Sequence, residues 1–165
     1  MGTVASSGSA VVSLPSDTEI LITREFAAPA HLVYKALTTP DLVKRWWSAK
    51  RGEVTIAEID LRVGGKWRWV MITDGGFEVA FHGEYREIEP NERIVYTEAY
   101  EGAPGGDENA ALITMTLAEK DGRTTLTSVT EMPTKEGRDM ILESGMEAGM
   151  QDAYDLLEEV AISIQ

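Results

Sequence analysis

The sequence has no cysteine and only two histidines, His31 and His82, in 165 residues. The first absence excludes disulfides, thiolate zinc sites and cysteine nucleophiles together. The second leaves little for metal binding, because neither histidine belongs to an HxH or HExxH spacing. Positive charge is also scarce: 15 Lys and Arg stand against 28 Asp and Glu, a formal charge of −13. A basic footprint for DNA or RNA is therefore missing, and so is attraction to an anionic membrane surface. No apolar run approaches the ~18 residues that cross a bilayer. The first 16 residues carry no Lys or Arg, so the basic start of a signal peptide is missing. These absences lead to the expectation of a cytoplasmic protein with no nucleic-acid partner and no membrane insertion. No GxSxG elbow, GxGxxG turn or GxxxxGK[ST] loop occurs in the right context, and no cofactor or metal is assigned.

Hydrophobic residues make up 43 % of the chain, ordinary for one globular domain of this length. Residues 1–17 are rich in Ser and Gly, hold no aromatic and have no charge before Asp17. They read as a flexible tail, with a short edge strand over Ala10 to Leu14 as the alternative. The domain proper is expected over 18–165, and every charged residue lies in 17–165. Glu19–Phe26 is β-prone, with Ile20, Ile22 and Phe26 on one side. Pro29 opens a short helix, and Thr39-Pro40-Asp41 starts a second that runs to Trp47. Between Glu53 and Met132, six strand-like runs alternate with turn signals, the clearest being Asp121-Gly122. Consecutive strands with short turns make an antiparallel meander. Thr134 then caps a long helix whose stripe includes Leu142, Met146, Gly149, Met150, Ala153, Leu157, Val160, Ala161 and Ile164. Asp152, Asp155, Glu158 and Glu159 fall on its other side, expected to face solvent. The pattern predicts an α+β fold: a curved antiparallel sheet of six to seven strands, two short helices after the first, and the long C-terminal helix across the concave face.

Aromatics carry the functional reading. Trp46 and Trp47 end the second helix. Trp67 and Trp69 share one strand face, with Arg68 on the other. Phe77, Val79, Phe81 and Tyr85 fit a common face, which puts His82 on the opposite side. Each aromatic alone suits an ordinary core. Together with Met140, Met146 and Met150 they suit an adaptable apolar pocket. The candidate cavity residues are Trp46, Trp47, Trp67, Trp69, Phe81, Tyr85, Tyr96, Glu98, Met146, Met150, Tyr154 and Leu157. Glu58 and Asp60, two apart on a strand, form the one carboxylate pair considered for a cation, and a solvated face suits them better.

Several motifs occur in order: Phe26-Ala27-Ala28-Pro29, Tyr34-Lys35-Ala36-Leu37-Thr38-Thr39-Pro40-Asp41-Leu42, Trp46-Trp47 and Gly64-Gly65-Lys66-Trp67-Arg68. Phe81-His82-Gly83-Glu84-Tyr85-Arg86-Glu87-Ile88-Glu89-Pro90, Asn91-Glu92-Arg93-Ile94-Val95-Tyr96-Thr97 and Gly145-Met146-Glu147-Ala148-Gly149-Met150 follow. Over about residues 18–162 the chain resembles the SRPBCC (START-like, birch-pollen-allergen-like) superfamily. The branch is the AHSA-like one, related to the C-terminal domain of the heat-shock-protein ATPase activator. The resemblance implies a helix-grip fold, a sheet grasping the C-terminal helix around a hydrophobic cavity. The superfamily includes lipid and hormone carriers, polyketide cyclases and co-chaperone domains, and this branch has no universal catalytic set. Where its members usually carry Trp after the second glycine, this chain has Met150.

Three functions follow as expectations. The first is a non-enzymatic binder of a small hydrophobic or amphipathic molecule. The second is a cyclase- or dehydratase-type enzyme in the same cavity, with His82, Glu98, Arg68 and Tyr96 as its acid–base candidates. The third is a chaperone-associated interaction domain, which requires an exposed apolar patch. The oligomeric state is left open, a homodimer included.

Overall fold

The computed structural model describes residues 9–103 and 105–165. Its strands are β1 (Val11–Ser13), β2 (Glu19–Phe26), β3 (Gly52–Ile59), β4 (Lys66–Thr73), β5 (Glu78–Glu89), β6 (Arg93–Tyr100), β7 (Ala111–Lys120) and β8 (Arg123–Glu131). Its α-helices are α1 (Ala30–Thr38), α2 (Pro40–Trp46), α3 (Lys135–Glu143) and α4 (Met146–Ser163). A 3₁₀ turn, Gly106–Asn109, lies in the β6–β7 connection. The strands make one curved antiparallel sheet in the order β1-β2-β8-β7-β6-β5-β4-β3. The meander from β3 to β8 is consecutive, and only β2 crosses over to pair with β8.

Alternation builds the inner face. In β2 every second residue is buried, Ile20, Ile22, Arg24 and Phe26. In β8 the same holds for Thr124, Leu126 and Ser128. Helices α1 and α4 pack over this end, where Phe26, Val33, Val43, Leu126 and Leu157 are all fully enclosed. The Asp121-Gly122 signal forms the expected tight hairpin, with φ of +55° and +77° at its two residues, the geometry that suits right-twisted strands. Pro29 sits one residue before α1 rather than in it. Thr39 precedes α2, but its side chain makes no capping bond and Pro40 opens the helix. Among the described residues no helix is long and apolar enough to cross a membrane.

Three expectations need correction. Part of the segment read as a tail belongs to the sheet: Val11–Ser13 pairs with β2, and the backbone N–H and C=O of Ala10 are both held by the Gln151 side chain at 2.9 and 2.8 Å. Two hydrogen bonds from α4 offset the weak apolar content of this stretch; the rest of the expected tail, 1–8, lies outside the described residues. The long C-terminal helix is two helices. Gly145 adopts φ +84°, a left-handed conformation that glycine enters at no steric cost and that ends a helix. Thr134 does cap α3, its hydroxyl accepting from the Gly137 N–H at 3.0 Å. Finally, the acidic side of α4 is not a uniformly solvated face. Arg24, 1 % exposed, donates to Asp155 at 3.0 Å and Glu158 at 3.2 Å. Glu158 also accepts from the Ala27 N–H at 2.8 Å. Asp152 meets Arg51 at 2.8 Å.

Candidate functional site

The sheet separates two depressions with opposite chemistry. β6 decides which residue goes where: Ile94, Tyr96 and Glu98 point inward, while Thr97 and Ala99 point outward. β4 does the same, with Trp67 and Trp69 inward and Arg68 outward.

The inner pocket has a volume of about 490 Å³. It lies between the inner face of β4 to β8, with Ile22 of β2, the end of α2 and the first half of α4. Eleven of the twelve sequence-predicted residues line it: Trp46, Trp47, Trp67, Trp69, Phe81, Tyr85, Tyr96, Glu98, Met146, Met150 and Tyr154. Leu157 does not; it is fully enclosed in the core under α1. It shares the α4 stripe with Met150 but lies two turns further along, where the helix packs directly on the sheet. Phe77 stands in the β4–β5 turn, 74 % exposed, and Met140 is 66 % exposed on α3; neither contributes to the pocket.

Trp69 sits at the centre of the aromatic wall. Its ring is edge-on to Trp46 at 5.8 Å and to Trp47 at 5.6 Å, and tilted against Trp67 at 5.1 Å. Such geometries match the quadrupoles of the rings and add to simple area burial. Trp46 donates its indole N–H to the Ala36 carbonyl at 2.9 Å, and Trp67 to the Thr97 carbonyl at 3.2 Å. Trp69 Nε1 is enclosed and has no acceptor among the described residues. Gly83 makes the Trp67 bond possible. A Cβ there would fall 1.7 Å from the Thr97 carbonyl oxygen and 2.6 Å from Trp67 Nε1, far inside van der Waals contact. Nothing in the sequence marked this glycine beyond its place in the family motif.

Among the described residues one acidic group, Glu98, faces the pocket interior. It is half-buried, and its side chain has no hydrogen bond or ion pair among them. Desolvation pushes its carboxyl up to about 7, since burial penalises the charged form. The same effect raises the Tyr96, Tyr85 and Tyr154 phenols. Arg51 is the pocket's only cation among the described residues, and it is occupied by Asp152 and by the Ala49 carbonyl at 2.9 Å. Together with Ser144 it is exposed, which marks where the pocket meets solvent.

The outer depression, about 450 Å³, is lined by charges including Glu58, Lys66, Arg68, His82, Glu84 and Arg86. Arg68 grips Glu101 with two bonds of 2.8 and 2.9 Å. His82 lies within 3.0 Å of Glu101 through Nδ1 and 2.6 Å of Asp107 through Nε2. The four acid–base candidates are therefore divided. Tyr96 and Glu98 face the inner pocket, Arg68 and His82 face outward, and they cannot form one catalytic set. Asp60 is engaged by Arg62 at 2.9 Å, and no group of three or more metal-ligating side chains occurs among the described residues.

Known proteins share this fold. A Rhodobacter sphaeroides protein of known structure is 27 % identical, with a TM-score of 0.85 over 93 % of this chain and 98 % of its own. One from Chromobacterium violaceum is 28 % identical, with a TM-score of 0.76 over 88 % and 98 %. A Mycobacterium smegmatis protein, 23 % identical with a TM-score of 0.81 over 92 % and 96 %, shares the fold. No curated protein matches the chain. The family model described as "Activator of Hsp90 ATPase homolog 1-like protein" matches residues 27–161. That span runs from the first helix through the pocket wall to the end of α4, and the helix-grip chain belongs to this family.

Proposed function

We propose that the chain binds a small hydrophobic or amphipathic molecule in the inner pocket. The observation that carries this reading is the pocket itself, about 490 Å³ walled by four tryptophans and four methionines. Ligand sites typically span about 300–1,000 Å³ with apolar walls and few polar groups. Methionines at one wall let the space adjust to its occupant. Titration with the neutral dye N-phenylnaphthylamine tests it. The expected result is saturable fluorescence enhancement with one site per chain, quenching of the tryptophans, and at least tenfold weaker binding in Met150→Trp, which fills the pocket. Absence of saturable binding in the wild type overturns the reading.

One observation favours an enzyme as the second reading. A carboxyl held near 7 is matched to general acid–base work at neutral pH. It stands alone, because His82 and Arg68 are on the other side of the sheet. A chaperone-associated role rests on the family description. The large exposed hydrophobics, among them Val11, Val63, Phe77, Tyr100 and Met140, are spread over strands, turns and α3. Both readings predict activities, turnover or ATPase stimulation by the purified chain, that simple ligand binding does not.

A further inference from the structure

We propose that the pocket's ligand is a lipophilic amine, an apolar body carrying one protonated nitrogen that Glu98 receives. This rests on the binding reading above and specifies its chemistry. Three classes of ligand can be compared at the same pocket. A neutral apolar molecule would expel water from the Glu98 carboxylate and put nothing in its place, and an unpaired buried charge is costly. An anionic lipid would set a second negative charge against it, inside a protein of net charge −13. A cation reverses both terms: it pairs with the carboxylate and is attracted by the field of the whole chain.

Among the described residues the protein supplies no counter-ion of its own. Arg51 is tied to Asp152 and Ala49 at the rim, and Arg24 is tied to Asp155 and Glu158 beyond the far wall. Glu98 lacks a bonded partner among the described residues. The rings of Trp67, Trp69, Tyr96 and Tyr154 share the pocket with it, and aromatic faces attract ammonium groups more strongly once water is excluded. A carboxylate among aromatic rings is thus a receptor for an ammonium head, and the Met146–Met150 wall accepts the apolar remainder.

The charge of the pocket changes in one pH window. The titratable groups around Glu98 are Tyr96 on its own strand, Tyr85 from β5 and Tyr154 from α4, all held above the ordinary phenol value. Arg51 with Asp152 is at the rim, Arg24 with Asp155 and Glu158 lies behind Tyr154, and His82 is on the other face. Between pH 6 and 8 Glu98 is the group in the pocket that ionises, while an alkylamine stays protonated. Amine affinity therefore rises with pH through this window, by about tenfold for a carboxyl near 7.

Calorimetric titration with a matched set, naphthylethylamine, naphthylethanol and naphthylacetate, at pH 6 and pH 8 tests the proposal on the full chain. The amine is expected to bind at least tenfold tighter than the alcohol at pH 8, with a smaller gap at pH 6. In Glu98→Gln the gap closes, while the alcohol still binds; in Glu98→Asp, which retains the charge, most of the gap returns. Equal amine and alcohol affinities at both pH values, or an undiminished gap in a folded Glu98→Gln variant, overturn the proposal and leave the binding pocket standing. Tightest binding of naphthylacetate, improving as pH falls, also overturns it, since the carboxyl then acts as a protonated donor. If none of the three binds, the pocket reading fails and this inference fails with it.

Discussion

Two charged side chains, Arg24 on β2 and Glu98 on β6, point from the same face of one sheet toward the same helix. Arg24 is fully enclosed and meets two carboxylates from α4, with its guanidinium 4.9 Å from the Phe26 ring centre. Glu98 reaches the first half of α4 and meets neither cation nor donor among the described residues. The difference follows from what α4 presents. Its second half carries Asp155, Glu158 and Leu157 onto the sheet and closes the gap. Its first half carries methionines and stands off, leaving space. A buried charge with all its partners is part of the scaffold, whereas one without them awaits something. The two ends of one helix thus separate structure from site.

Breaking the closed end should have the largest effect. Arg24→Ala leaves Asp155 and Glu158 facing each other over an apolar wall, and loss of one partner of a buried ion pair costs about 3–5 kcal/mol. Urea unfolding should show that drop in midpoint, with dye binding preserved in whatever fraction stays folded. Relieving the open end should do the reverse. Glu98 has its folded-state value raised from 4.5 to about 7, so the native state holds the proton more tightly than the unfolded chain. Its destabilisation is absent below pH 4.5, grows as pH rises to 7 and is complete above it. Glu98→Gln should therefore gain about 2 kcal/mol at pH 8, after allowance for partial exposure, and almost nothing at pH 4. A loss of stability at pH 8 would mean that Glu98 is as well partnered as Arg24.

The sequence reveals these two ends unequally. Period-two alternation put Trp67 and Trp69 on one face and Arg68 on the other, and both placements hold. Glu98 was named among the candidate cavity residues, and it lines the pocket. The same alternation runs through Ile20, Ile22, Arg24 and Phe26, but the role of Arg24 depends on partners 131 and 134 residues away, which no local pattern reveals. Leu157 shows the converse limit. One apolar stripe on α4 serves pocket and core alike, and the distance between helix and sheet is a tertiary quantity. Gly145 was visible as a residue but not as a break, because glycine is tolerated inside a helix as well as after it.

That break can be tested for its part in holding the open end apart. A Cβ at Gly145 meets nothing within 4 Å, so the cost of Gly145→Ala is the left-handed backbone alone, about 1 kcal/mol. Since Met146 and Met150 follow directly, amine and dye affinities should fall with it, while Arg24 and its partners stay unaffected. Unchanged ligand affinity would separate the helix break from the pocket.

The smallest effect belongs to the outer face, where charges are paired in water. His82 bridges Glu101 and Asp107, and two carboxylate partners require both ring nitrogens to donate, which only the imidazolium does. Its value is accordingly raised above 6.5, first by Asp107 and then by Glu101. Glu101 is held down at about 2, chiefly by Arg68. The signs are opposite. The histidine contribution is full below pH 6.5 and fades as pH climbs through the raised value; the Glu101 contribution is present above 4.5 and fades toward 2. Asp107 is 80 % exposed, so solvent screens the pair to under about 1 kcal/mol. Asp107→Asn should return the His82 NMR titration toward 6.5, lower stability by less than 1 kcal/mol at pH 6 and leave it unchanged at pH 9. Raising salt to 1 M should have the same effect on the wild type, but should leave the Arg24 cluster intact. Equal sensitivity of both clusters to salt would mean that the Arg24 cluster is as open to solvent as the outer face, and would remove the closed end from the comparison.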